Sequence, residues 1–166
     1  EVLHLSEAQG QLRAVGSGIL SAQVMSTDDE LKVGVLLAQG LQAQTRAQDS
    51  FDYSFAANDA LSARLKDQVL AADAASQKVM SLAREKLASA SALDYPASAY
   101  FQATTESIDQ QLALADASLA LIGELLDQRL KSDWASLLLV LACMGATMVI
   151  GTAISLLGGR SVTRQL

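Results

Sequence analysis

One cysteine, one histidine and one proline stand among 166 residues, and aromatic side chains make up only 4% of them. Cys143 lies inside an apolar run and His4 is alone near the N-terminus, so disulfides, zinc fingers and thiol or imidazole catalysis have almost no raw material. There is no glycine-rich phosphate loop and no grouping of nucleophile, base and orienting residue. The sequence therefore assigns no catalytic residue, no cofactor and no metal, and the chain reads as a non-enzyme. Asp28, Asp29 and Glu30 are adjacent acids but lack the spacing of a calcium loop, and they read as helix-capping charge. Strand signals are missing too: alanine and leucine dominate and Pro96 alone interrupts the chain, a composition of helices with few sharp turns.

What is present in quantity is apolar length. Ala135 to Gly159 contains no ionisable group other than the Cys143 thiol. As a helix these residues measure ~37 Å, enough to cross a ~30 Å hydrocarbon core with some tilt. A soluble helix normally shows one polar face, and this segment has none, so a membrane-spanning helix is expected at 134–159. Trp134 marks one border as an interfacial aromatic, while Arg160 and Arg164 follow the other, which places the C-terminus in the cytoplasm. The region before Trp134 then lies outside it, with ten Lys and Arg against eighteen Asp and Glu. An acidic exterior is a poor match for nucleic acid, so none is expected as a partner. Within the span, Ala142 with Ala146 and Gly151 with Ser155 are small-residue pairs four apart that allow close helix approach.

Residues 1–133 are of ordinary domain size and read as four helices. The first, to about Val24, carries a continuous stripe of Leu5, Ala8, Leu12, Val15, Ile19 and Ala22. Thr27 and Glu30 have the spacing of a capping box opening the second helix, which points Leu31, Val35, Ala38 and Phe55 inward. Thr45, Gln48 and Asp52 fall on the same stripe, marking either a hydrated cavity or a different helix phase. A break is expected at Asn58-Asp59, with one long helix through residue 58 as the other reading. Asp59 then caps a third helix to about Ala92 with Leu61, Leu65, Ala72, Val79 and Leu82 inward. Leu93-Asp94-Tyr95-Pro96 stops the chain and restarts it. In the fourth helix Phe101, Thr105, Ile108, Leu112, Ala115, Leu119, Ile122 and Leu126 keep a strict heptad stripe. Leu114, Leu121 and Leu125 form a second apolar edge, enough for a core and a partner subunit, so a homodimer is expected. Neither Gly nor Pro separates Leu126 from the span, so this helix enters the bilayer without a break. On rise alone helix four descends roughly 37 residues from the top of the domain and helix one only about 25, so about 12 residues and a first span are expected before Glu1.

The tail Arg160-Ser161-Val162-Thr163-Arg164-Gln165-Leu166 resembles the opening of a HAMP linker, with Gln165 where the usual pattern has proline. With a four-helix domain and a span before it, the chain as a whole resembles bacterial transmembrane receptors, foremost the methyl-accepting chemotaxis proteins. The resemblance implies an all-α antiparallel four-helix sensor domain outside the cytoplasm at 1–133, a transmembrane helix at 134–159 and a linker start at 160–166. It implies an inner-membrane location with the sensor periplasmic, and contact with cytoplasmic signalling proteins only through regions this chain does not contain. Histidine kinases and diguanylate cyclases share this front end, and a structural or adhesive bundle anchored in the membrane is the reading from another class.

Ala99-Tyr100-Phe101 followed by Thr105 is similar to the start of the fourth helix in aspartate and serine chemoreceptors, where the aromatic pair and the threonine lie beside the ligand. Those receptors neutralise ligand carboxylates with several arginines of the first helix, and Arg13 is the one this chain offers. Arg13 falls ~18 Å and Thr105 ~14 Å below the top of the domain on helical rise, so the two can share a level. The resemblance thus implies ligand-binding residues Arg13, Tyr100, Phe101 and Thr105 at a subunit interface, and a lone guanidinium, which grips one carboxylate or nitrate-like group bidentately, points to a small anion there. The plainer alternatives are a surface arginine with its stem along the helices, and core or dimer packing for Tyr100 and Phe101. His4 reads as exposed or packing, and Arg46 as a solvated partner of Asp49 or Asp52.

Overall fold

The chain is all-helical, with no strand among the described residues, in a computed structural model that describes residues 2–162 and, within them, not the side chains of 132–133, 135–137 and 145–162. Four α-helices follow one another: α1 (Val2–Ala22), α2 (Thr27–Ala57), α3 (Asp59–Ala83) and α4 (Ala97–Val162), with a π-helical turn (Arg84–Ala88) after α3. Contacts divide the chain into two compact units, Glu1–Leu121 and Ile122–Leu166.

The first unit holds the core. Gln23 adopts a positive φ of 52° and ends α1. The capping box that opens α2 sits one residue earlier than the sequence suggests. Ser26, not Thr27, is the cap: its hydroxyl accepts from Asp29 N–H at 3.1 Å, and the Asp29 carboxylate accepts from Ser26 N–H at 3.2 Å. The Ser26 hydroxyl also donates to the Asp29 carboxylate at 2.6 Å, and this bond first, with the Ser26 N–H second, holds the Asp29 carboxyl below the usual range. The break between α2 and α3 falls at Asn58, whose side chain, rather than that of Asp59, accepts from Ala60 N–H at 3.0 Å.

The third helix ends sooner than Ala92. Its last turn widens so that Ser89 N–H donates to the Arg84 carbonyl at 2.8 Å, and the wider turn carries Leu87 into the core. The restart after Pro96 is as the sequence indicates, with the Pro96 carbonyl accepting from Tyr100 N–H at 3.1 Å.

Leu12, Ile19, Leu20, Leu36, Met80 and Tyr100 share one buried cluster to which α1, α2, α3 and α4 all contribute. The α1 stripe is largely the expected one, with Leu5, Ala8, Leu12 and Ile19 buried, and on α3 Leu65, Ala72 and Val79 are inward. The phases of α2 and α4 differ from the expectation. On α2, Val33, Leu36, Leu37, Gly40, Ala43 and Ala47 face in, while Leu31, Val35 and Ala38 are exposed. Thr45 and Asp52 are exposed as well, so their place on the expected stripe reflects a different helix phase.

On α4 the buried positions among the described residues are Tyr100, Thr104, Ser107, Gln111, Leu114 and Leu121, and the heptad stripe beside them is turned out, with Phe101, Leu112 and Leu119 exposed. A second, polar part of the interior explains this: Gln9, Gln44, Ser76, Thr104, Ser107 and Gln111 are all buried. Gln9 Nε2 donates to Ser76 Oγ at 2.9 Å, and Ser107 Oγ donates to Gln9 Oε1 at 3.0 Å, so both ends of that amide are satisfied. Between α1 and α4, Gln9 meets Ser107, the Leu12 carbonyl meets Tyr100 and Arg13 meets Thr105.

In the second unit α4 continues as helix, and Trp134, Leu138, Leu139, Val140, Leu141 and Met144 are each more than half exposed. Among the described residues no helix is long and apolar enough to cross a membrane. Most of the expected span at 134–159, and the expected linker at 160–166, have side chains outside the described residues.

Candidate functional site

Three of the four residues singled out by sequence come together where α1 meets α4. Arg13 leaves α1 one position after core residue Leu12, which keeps the guanidinium at the edge of the helix interface. Its Nη1 donates to Thr105 Oγ1 at 2.9 Å. Thr105 Oγ1 in turn donates to the Phe101 carbonyl one turn back, at 2.8 Å, which fixes its lone pairs toward the arginine. The guanidinium carbon stands 4.8 Å from the centroid of the Phe101 ring, a cation–π contact that holds the arginine head against α4.

Thr105 and Phe101 are one helical turn apart on the same face, so one arginine engages both. Arg13 is half-buried and, among the described residues, has no carboxylate partner. A guanidinium carries five N–H donors in a rigid fork, and Thr105 occupies one of them. This arrangement is suited to a planar anion, which would take two donors in parallel.

Tyr100 belongs elsewhere. It is fully buried, its hydroxyl donates to the Leu12 carbonyl at 3.3 Å, and burial pushes its phenol well above the usual range, with the Thr104 side chain opposing in part. A phenol sealed this way stays neutral and serves packing. It is one wall of a tight junction: a Cβ on Gly16 would lie 2.5 Å from Tyr100 Cε1 and 2.8 Å from Leu87 Cδ1, so only glycine lets α1 approach both. The aromatic pair thus divides, Tyr100 to the core and Phe101 to the arginine.

Two further features line the α1–α2 side. A polar cleft of about 460 Å³ is bordered by His4, Glu7, Gln39 and Arg46, and an apolar groove of about 580 Å³ by Val15, Leu31, Lys32 and Val35. His4 and Arg46 are exposed. Sequence reasoning missed the groove because it placed Leu31 and Val35 inward, and the signal that bears on the phase is the polar character of Thr45 and Asp52 on that same stripe. It also missed a small cavity of about 30 Å³ to which all four helices contribute, bordered by Leu5, Gln44, Phe51, Asp73, Gln111 and Leu114. Among the described residues no group of three His, Cys, Asp or Glu is placed to hold a metal ion.

No family model matches the chain, and no curated protein and no solved structure matches it.

Proposed function

We propose that this chain is the sensing and membrane-spanning region of a bacterial receptor of the methyl-accepting chemotaxis type, in which residues 1–133 form an antiparallel four-helix bundle outside the cytoplasm. The observation that carries the reading is the Arg13–Thr105–Phe101 cluster: an arginine without an acidic partner among the described residues, oriented by a hydroxyl and an aromatic ring on the facing helix. Support for the bundle comes from the pairing of α1 with α4, where Gln9 meets Ser107 and Arg13 meets Thr105, so that partner numbers fall on one helix as they rise on the other. Support for the membrane comes from the uncharged run at 135–159 with arginines beyond it.

In this reading a small singly charged anion binds Arg13, and its binding favours one of two arrangements of α1 against α4. A ligand shifts such an equilibrium only by as much as its affinities for the two arrangements differ. Because α4 is one continuous helix from Ala97 to Val162, a change at Thr105 is made on the element that leads toward the membrane. A second copy of the chain packs on the outward heptad stripe of α4 at Phe101, Leu112 and Leu119, since Leu114 and Leu121 are already buried within the chain.

A thermal-shift screen of the full chain against carboxylates, amino acids and inorganic anions tests the ligand. A true ligand raises the melting temperature in the wild type and in Arg64→Ala but not in Arg13→Ala. An equal shift in Arg13→Ala removes the site from this position. The structural or adhesive alternative is separated by the coding sequence beyond Leu166: a signalling coiled coil supports the receptor, and a stop codon there rules it out.

A further inference from the structure

Gln111 is buried to 1% exposure on α4, and among the described residues neither its Nε2 nor its Oε1 has a hydrogen-bond partner. A buried amide without a partner has lost its water and gained nothing in return, so each one in a native interior calls for a partner. The same side chain borders the cavity of about 30 Å³ that it shares with Gln44 and Asp73. On its wall Gln44 Nε2 donates to Asp73 Oδ1 at 2.6 Å, and Gln77, one turn further along α3, donates Nε2 to Asp73 Oδ2 at 2.9 Å, so the carboxylate is held by two neutral amides.

We infer that this cavity is an internal binding site for water, which links Gln111 to the polar groups of α2 and α3. Size, charge and hydrogen-bond type each narrow the choice. About 30 Å³ holds one or two waters, whereas pockets for organic ligands run to roughly 300 Å³ and more. The Asp73 carboxylate on the wall repels an anion. A small cation such as ammonium has no acceptor to offer Gln111 Nε2, while water both accepts from Nε2 and donates to Oε1 or to a carboxylate oxygen.

Leu5, Phe51, Ala72 and Leu114 make much of the rest of the wall apolar, and Gln111 itself is buried, so a water on its amide is shielded from bulk solvent. With it, the polar interior formed by Gln9, Ser76 and Ser107 extends through Gln111 to Gln44 and Asp73, joining all four helices by hydrogen bonds.

The test is water-selective magnetisation transfer in the isotope-labelled full chain, with the Gln111 side-chain amide assigned from Gln111→Met. The expected result is a cross-peak from the Gln111 NH₂ group to a long-lived water, lost in the variant while the Gln9 amide keeps its shifts. Xenon, which occupies dry apolar cavities, is then excluded from the wild-type site. Xenon entering the wild-type cavity, or a Gln111 amide without any water cross-peak, overturns the inference.

Discussion

Arg13 and Thr105, 92 positions apart in the chain, are joined by a 2.9 Å hydrogen bond between Nη1 and Oγ1, at the point where Phe101 lies under the same guanidinium. The bond couples α1 to α4 through a charged donor, yet at a partly solvated edge, which limits its worth. A double-mutant cycle of Arg13→Ala and Thr105→Val in the full chain is expected to give a coupling of roughly 0.5–1.5 kcal/mol in chemical unfolding. Additive single effects show that the two side chains do not act together.

Glycines on α1 differ sharply in what surrounds them. Gly16→Ala drives a methyl group into Tyr100 and Leu87, both buried, and is expected to lower stability by about 1–3 kcal/mol. Gly18, two residues on, has nothing within 4 Å of an added methyl group and no positive φ, so Gly18→Ala is expected to raise stability by roughly 0.5–1 kcal/mol. Thermal or urea unfolding of the pair reads both signs.

The cap of α2 carries a pH dependence of defined sign. The Asp29 carboxyl is held below its usual value by Ser26, so its contribution to folding is present above the unfolded-state pKa and is lost as pH falls through the lower folded-state value. Between neutral pH and that acid range, the unfolding midpoint of the wild type is expected to fall more than that of Asp29→Asn. Parallel pH profiles of the two proteins show that the capping bonds are not formed in solution.

Helix stripes were legible in the sequence where the interior is apolar and illegible where it is not. Leu12, Ile19, Leu65 and Val79 announce their burial by spacing alone. On α4 the strongest apolar periodicity, through Phe101, Leu112 and Leu119, lies outward, and the buried face is written in Thr104, Ser107 and Gln111, which a hydropathy pattern reads as surface. On α2 buried Gln44 conceals the phase in the same way.

The level shared by Arg13 and Thr105 follows from helical rise counted on both helices and was legible. Which member of the Tyr100–Phe101 pair meets the arginine was not, because a shift of one residue on a helix turns a side chain by about 100°.

The proposed dimer sets a second copy on the outward apolar heptad of α4, and the prediction is specific to position. With Cys143 replaced by serine, cysteine at Leu112 or Leu119 is expected to crosslink to its counterpart in membranes under mild oxidation, while cysteine at buried Leu114 or Leu121 does not. The reverse pattern assigns the partner contact to another face.

The claim on which the receptor reading stands is that α4 leaves an external domain, crosses the bilayer and ends inside. It is tested most directly by labelling intact cells with a membrane-impermeant maleimide, in the same Cys143→Ser background. Cysteine placed at exposed Gln102 or Ala120 is predicted to react in intact cells, and cysteine at Gln165 only after the membrane is permeabilised. Equal labelling of residues 102 and 165 in intact cells, or protection of both, contradicts it.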